Sequence, residues 1–387
     1  MSTTAVAGFV ANGVHCGIKE SGAPDLALVA TADRQPVAAA GVFTSNLATA
    51  APVAVCREHL HRSGGQAVAV ILNSGNANAA TGAAGYDDAV RMCALVAEAL
   101  GCETEHVLVC STGLIGIPLP IKAVESGVPA LVDGLSDDGG SRAAEAIRTT
   151  DTVRKEAIVD VDGCRVAGMA KGAAMLAPNM ATMLAVLTTN ATAHPTVLRG
   201  TLSAAVNDSF NALTVDGCTS TNDTVLLLAG GDGGDVSLAS LRDATSKACA
   251  DLATQMAGDA EGATKVIRVR VTGARSAADA HSAARKIAES QLVKCSFFGE
   301  DPYWGRVVSE LGSAGVGFEP ELVEVAYGGT VVCAGGVAAP HDDGAVRQHL
   351  AQRTVEVSAD LGLGRGEAIV LTNDLTPGYI DENKRTS

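Results

Sequence analysis

A lysine at position 171 is followed by GAAMLAPNMA and then by a lone threonine, Thr182, which opens directly into the apolar run 183–187. A threonine hydroxyl attacks a carbonyl only when a base takes its proton. Cutting the chain just ahead of Thr182 would supply that base as the residue's own α-amine. Such an amine titrates near pH ~8, close to working pH, where a general base is most effective. The alternative is a plain strand threonine, because Met175, Leu176, Met183, Leu184, Val186 and Leu187 are also what a buried segment contains. Spacing alone leaves both open.

Acyl transfer also needs donors aimed at the carbonyl oxygen that turns negative. Ser111-Thr112-Gly113, at the end of the apolar run 106–110, offers a hydroxyl and a glycine that lets a backbone N–H come close. Its other reading is an ordinary strand-end turn. Lys171, eleven residues before Thr182, is a natural partner for a substrate carboxylate. Glu261, in DAEGATK, could meet an ammonium group or be a surface-loop carboxylate. The eight histidines and ten cysteines show no CxxC pair and no familiar metal spacing; His341-Asp342-Asp343 reads as a solvated turn.

These groups must be held by elements. Residues 67–72 form an apolar strand that empties into Asn73-Ser74-Gly75-Asn76. A helix is predicted over 87–100, capped by Asp87 or Asp88, with Val90, Met92, Cys93, Val96 and Leu100 as its apolar stripe. A strand over 106–110 then breaks at Ser111-Thr112-Gly113. Strand, helix, strand is the grammar of an α/β layer, whose sites collect at strand ends, so both polar loops can share one edge. Residues 156–169 alternate around Asp162-Gly163 as a hairpin that delivers the chain to Lys171. Helices are expected over 198–210 and 238–256, a strand over 266–271, and a loop at the glycines of 230–234.

The 387 residues are 47% hydrophobic and 18% charged, enough for a large core and two domains in a soluble protein. Aromatic content of 3% argues against flat stacking platforms. A net charge of −15 disfavours nucleic acid and anionic membrane as partners and leaves a small metabolite. Scattered cysteines, the lack of a cationic apolar leader and the lack of a bilayer-length apolar run point to the cytoplasm, with the thiols buried and reduced.

The segment GMAKGAAMLAPNMATMLAVLTT (168–189) does not stand alone. GIKESGAPDLALVAT, AAGVFTSN, ILNSGNANAATG, STGLIGIPLP, TTDT, SFNALTVDGCTSTNDTVLLLAGG, DAEGATK, FFGEDPYWGRV and LTPGYIDENKRTS accompany it across the chain. Together these blocks resemble the ornithine acetyltransferase family, also called bifunctional glutamate N-acetyltransferases, of arginine biosynthesis. The resemblance implies an α/β layered sheet-and-helix sandwich with a smaller C-terminal α/β domain from roughly 275–387. It implies a precursor cut between Ala181 and Thr182 into chains 1–181 and 182–387, which associate as an α2β2 heterotetramer. Thr182 would be the nucleophile, and the Thr112 hydroxyl and Gly113 N–H the oxyanion hole. Thr149 (within 149–152), Lys171, Glu261, Asn383 and Ser387 would contact substrate, with Thr386 the alternative to Ser387 because the tail is one residue short. The acetyl group would pass from N2-acetyl-L-ornithine to L-glutamate through acetyl-Thr182, without metal or prosthetic group. Acetyl-CoA stays open as a second donor, because Gly362-Leu363-Gly364-Arg365-Gly366 lacks the helix that cradles phosphate and reads as a turn.

Three positions depart from the family pattern: Cys218 replaces an acidic residue, Leu47-Ala48-Thr49 lacks a basic one, and Tyr303 replaces Asn. They bear on substrate preference and subunit packing. Two rival functions are an amino-terminal-nucleophile amidase or peptidase, which would not need Lys171 and Glu261 to hold an incoming amino acid, and an uncut, noncatalytic metabolite-binding or scaffold protein.

Overall fold

In the computed structural model, residues 2–176, 183–234 and 236–384 are described, and the chain divides into one compact unit of residues 1–211 and 219–256 and another of 212–218 and 257–387. Ala181, Thr182, Thr386 and Ser387 lie outside the described residues.

The first unit holds two sheets. Phe9–Val14, Leu26–Thr31, Ala69–Asn76 and Val107–Leu114 lie in that order, the last two parallel and the other neighbours antiparallel. Every residue of Leu26–Thr31 is buried, as expected of a strand covered on both faces. The second sheet runs Gln66–Ala67, Val37–Phe43, Thr224–Ala229, Leu184–Thr189, Cys164–Lys171 and Lys155–Val161. One apolar cluster draws Leu28, Ile71 and Leu108 from the first sheet and Met169, Val186, Leu226 and Leu228 from the second. Each such side chain contributes about 1.5–3 kcal/mol by leaving water. With so few aromatics, aliphatic and alanine side chains do this filling, and the strands that carry the chemistry are fixed by it.

The strand–helix–strand unit is present, with different boundaries. The helix is Gly82–Leu100, five residues longer at its start than expected, with Thr81 rather than an aspartate at the N-cap position. Gly85 explains the difference: a Cβ there would sit 1.8 Å from Thr81 Oγ1, and the Gly85 carbonyl accepts from Asn78 Nδ2 at 2.7 Å. Close packing at Gly85 selects a glycine that helix propensity disfavours. The helix ends at Gly101 in the left-handed region, φ 74°.

The hairpin pairs Lys155–Val161 with Cys164–Lys171 through Asp162 (φ 44°) and Gly163 (φ 82°), the two left-handed residues that a tight two-residue loop requires. Expected helices are found at Pro195–Asn207 and Leu238–Gly258.

The second unit has one six-stranded sheet: Val337–Ala338, Thr330–Ala334, Glu324–Tyr327, Thr354–Asp360, Val266–Ala274 and Gly366–Asn373. Its own core includes Ile267, Val269, Ile287, Phe297, Val325 and Val357. Asp342 caps the helix Asp343–Leu350 by accepting from the Gly344 and Ala345 amides, which accounts for the His341-Asp342-Asp343 turn. All ten cysteines are free thiols, but not all are buried as expected: Cys218 and Cys295 are exposed, Cys16 and Cys102 partly so. No helix among the described residues is long and apolar enough to cross a membrane.

Candidate active site

The first unit brings together two of the residues picked from sequence. Lys171, the last residue of its strand, donates from Nζ to Thr112 Oγ1 at 3.2 Å, and the two residues are 3% and 2% exposed. The hydroxyl oxygen thus accepts from a cation while its own proton stays available to a ligand, and accepting such a bond makes that proton the better donor. The strand does not break at 111–113 as expected. Val107–Leu114 continues through them, with a register slip opposite Gly75 and Asn76. Gly113, exposed and at φ 131°, lies so close to its neighbour that a Cβ would stand 2.3 Å from the Gly75 carbonyl carbon. Only glycine fits, and pairing survives because the facing strand also carries glycine at the slip, Gly75 at φ 99°.

Asp151 is the hub on the other side. Its Oδ1 takes the Lys155 ammonium at 2.6 Å and the Gly172 N–H at 2.7 Å, and its Oδ2 takes the Thr149 N–H at 3.1 Å. Lys155 and Asp151 are both fully buried at their side chains. Burial alone would raise the carboxyl, but the Lys171 and Lys155 ammonium groups and these hydrogen bonds outweigh it and hold it at about 2. Thr149, the favoured member of 149–152, is half-buried and tied to this hub through its backbone.

Lys19 adds another cation. Its ammonium is clasped by the Pro24 and Arg148 carbonyls at 2.8 and 2.7 Å, and burial, with a contribution from Lys171, pushes its pKa down. Its loop is folded by Asp25, whose carboxylate accepts the backbone N–H groups of Cys16, Gly17, Ile18 and Lys19. Lys19 and Lys171 lie near enough to act on one another and Lys171 reaches Thr112, so an incoming anion would meet positive charge there.

A dipeptide not singled out from sequence stitches the strand ends together. Asn222 Nδ2 donates to the Ala77 and Ser111 carbonyls at 2.6 and 2.9 Å, and Asp223 Oδ1 accepts the Met183 N–H at 3.0 Å. Asn222 thus grips the residue before Thr112, and Asp223 the residue after Thr182. Their sequence signal was a carboxylate placed directly ahead of Thr224–Ala229, all of it buried. Asn76 similarly fixes the chain beyond Gly113, donating to the Ile117 and Pro118 carbonyls at 3.1 Å each.

The second unit joins two other residues picked from sequence. Asn383 Nδ2 donates to Glu261 Oε2 at 2.7 Å. Glu261 is 8% exposed, so it is not the surface-loop carboxylate of the alternative reading. It lines a cavity of about 120 Å³ with Asp216, Glu289, Lys294, Asp374 and Tyr379. Carboxylates dominate that lining, and Lys294 gives its ammonium to the Val215 carbonyl. A cationic group is the ligand it suits. Gly262 seats this loop on the helix Pro377–Asn383, since a Cβ would lie 2.1 Å from the Tyr379 nitrogen. The three departures, Leu47, Cys218 and Tyr303, are all exposed.

The ArgJ family model matches residues 10–386. The arginine biosynthesis bifunctional protein ArgJ of Streptomyces avermitilis is 48% identical over 390 residues, covering 100% of both chains. That of Mycobacterium leprae is 48% identical over 393 residues, covering 99% of this chain and 95% of the relative. A solved chain of ornithine acetyltransferase complexed with ornithine, from Mycobacterium tuberculosis, is 44% identical over 46% of this chain and 94% of its own, with a TM-score of 0.42. A family match of nearly full length, together with relatives aligned end to end, places this chain in the ArgJ family.

Proposed function

We propose that this protein is a self-cleaving glutamate N-acetyltransferase of arginine biosynthesis, moving the acetyl group of N2-acetyl-L-ornithine to L-glutamate through acetyl-Thr182. The observation that carries the reading is the buried Lys171–Thr112 contact, which sets a cation behind a hydroxyl donor where an acyl oxygen would turn negative. In maturation the Thr182 hydroxyl adds to the Ala181 carbonyl, the amide C–N bond breaks to leave an ester and the free Thr182 amine, and water then hydrolyses the ester to an Ala181 carboxylate and the restored Thr182 hydroxyl. In turnover that amine accepts the hydroxyl proton as Thr182 attacks the acetyl carbon. The Thr112 hydroxyl and Gly113 N–H receive the oxyanion, and ornithine leaves with the proton. Glutamate then takes the acetyl group by the reverse steps.

Lys171 meets the substrate carboxylate in this scheme, with Thr149 beside it. Glu261 and Asn383 meet the ammonium of ornithine, and Ser387 or Thr386 completes the contacts. The acceptor's side chain ends in a carboxylate, so a neutral amide such as Asn383, which bonds either kind of group, serves both amino acids. The chains 1–181 and 182–387 are proposed to stay together as an α2β2 assembly in the cytoplasm, and acetyl-CoA is the further donor to assay.

Initial rates at several fixed glutamate concentrations test the covalent order: parallel double-reciprocal lines are expected, and intersecting lines overturn it. Acetate accumulating in place of acetylglutamate would favour the amidase. A chain uncut at Thr182 would favour the noncatalytic reading.

A further inference from the structure

A second cavity of the first unit is lined by none of the residues assigned above. It holds about 430 Å³ between the helix Ala51–Arg62, the helix Pro195–Asn207 and the strand Val37–Phe43, a volume within the range of small-molecule sites, about 300–1,000 Å³. Arg57, His61 and Arg199 stand in its wall, and among the described residues no carboxylate does. In a chain with 43 acidic and 28 basic residues, such a lining runs against the mean charge and marks the cavity as suited to an anion.

The surrounding backbone holds these groups in place. A Cβ on Gly41 would stand 2.5 Å from Phe43 Cζ, so this glycine lets the Phe43 ring fold back along its own strand. The Arg57 guanidinium lies over that ring, 5.5 Å from its centroid, and donates from Nη2 to the Thr44 carbonyl at 2.8 Å. Stacking and that bond fix the planar fork and leave its other N–H groups without a partner among the described residues. On the opposite side Gly65 packs the turn against Pro195, where a Cβ would come within 2.5 Å of the proline Cβ. Arg199 and His61 are exposed, and among the described residues neither side chain has an ion-pair or hydrogen-bond partner. Glu58, next to Arg57 in the chain, is taken up by Arg62 at 3.4 Å and by the Tyr86 hydroxyl, so it does not neutralise the cavity.

We propose that this cavity is a binding site for a small organic phosphate, separate from the acetyl-transfer site, with Arg57, Arg199 and His61 receiving the phosphate and the organic part lying over Ala39, Ala40 and Leu60. A carboxylate has two oxygens and one charge, which a single guanidinium fork already satisfies. A phosphate monoester has three acceptor oxygens and close to two charges, which match two forks and an imidazole N–H. Inorganic phosphate alone would leave most of the cavity, with its floor of small apolar side chains, in contact with water. The site stands whether or not Thr182 acts as the nucleophile.

Isothermal titration of the purified full-length protein at low ionic strength tests this, with phenyl phosphate, inorganic phosphate and benzoate as probes. One saturable site is expected for phenyl phosphate, with the other two bound about tenfold more weakly. Arg199→Ala should weaken phenyl phosphate about tenfold, as loss of one charged hydrogen bond does, and leave the melting point of this exposed helix position unchanged. In the natural chain phenyl phosphate should protect Arg57 and Arg199 from phenylglyoxal, read by peptide mass, so the assignment does not depend on a variant. The absence of saturable binding, an affinity undiminished by Arg199→Ala, benzoate bound as tightly as phenyl phosphate, or arginines left unprotected would each overturn the proposal. Phenyl phosphate seated at Lys171 instead gives the second and fourth of these results.

Discussion

Replacing Asp151 with asparagine leaves the Lys155 and Lys171 ammonium groups in the interior without the carboxylate that compensates them. Its carboxyl is lowered from 3.8 to about 2, and that difference of about 1.8 units, at about 1.36 kcal/mol each, gives about 2 kcal/mol of stability from the charge. A buried ion pair that loses one member costs more than the shift alone, about 3–5 kcal/mol. Asp151→Asn is therefore expected to lose about 2–5 kcal/mol at pH 7. The sign with pH follows from a depressed carboxyl: the stabilisation is full above the unfolded value near 3.8 and drains away as pH falls through about 2. Urea unfolding in a Thr182→Ala background, which keeps the chain as one covalent piece, should show a large gap at pH 7 between chains with and without Asp151→Asn. The gap should close as pH approaches 2. An unchanged urea midpoint at pH 7, or a gap constant down to pH 2, would refute the hub assignment.

Thr112→Val is expected to lower kcat by about 10²–10³ with little change in KM, as loss of a single oxyanion donor does, measured by steady-state transfer. Lys171→Met should depress kcat/KM for both amino-acid substrates by about 10–100-fold, through loss of a charged hydrogen bond; an effect on one substrate only would contradict its placement at the shared carboxylate. Glu261→Gln should raise KM for N2-acetylornithine more than for glutamate, because only the former presents an ammonium to the acidic cavity. Asp223, with its carboxyl raised, stabilises fully below the unfolded value and progressively less as pH rises toward its folded value. In Thr182→Ala that gives a decline of up to about 1.4 kcal/mol per pH unit, which Asp223→Asn should abolish in pH-dependent melting.

Local chemistry made part of this molecule readable. The Asp162-Gly163 turn and the apolar runs around it placed the hairpin, because left-handed turn residues and burial are properties of a few adjacent positions. Thr112 and Lys171 were each legible by type, and their meeting at 3.2 Å required the two sheets to pack. Helix 82–100 was misjudged at its start because Gly82 and Gly85 oppose helix intrinsically: Gly82 takes a left-handed φ of 64°, and Gly85 is required by its contact with Asn78 and Thr81. The strand through Thr112 and Gly113 was likewise read as broken, since a tripeptide does not reveal that its partner slips in register beside it. Asp151, Lys19 and Asp223 escaped notice as a group because charged residues look solvated until distant segments enclose them. Family likeness pointed to what periodicity could not, Glu261 and Asn383 as proposed substrate contacts, and the structure brings that pair together.

Cys164–Lys171 and Leu184–Thr189 are antiparallel neighbours, Lys171 opposite Leu184 and Val166 opposite Thr189, so the sheet runs without a gap across the proposed point of scission. Severing the main chain there turns an internal ladder into a subunit boundary while leaving its rungs intact. Heat or urea must then separate two bodies instead of loosening one, and the mature protein's melting point should drop on dilution, whereas the unsplit precursor's should not. Proteolysis of this kind converts a folding problem into an association equilibrium, settled in advance by strands that paired before the backbone parted.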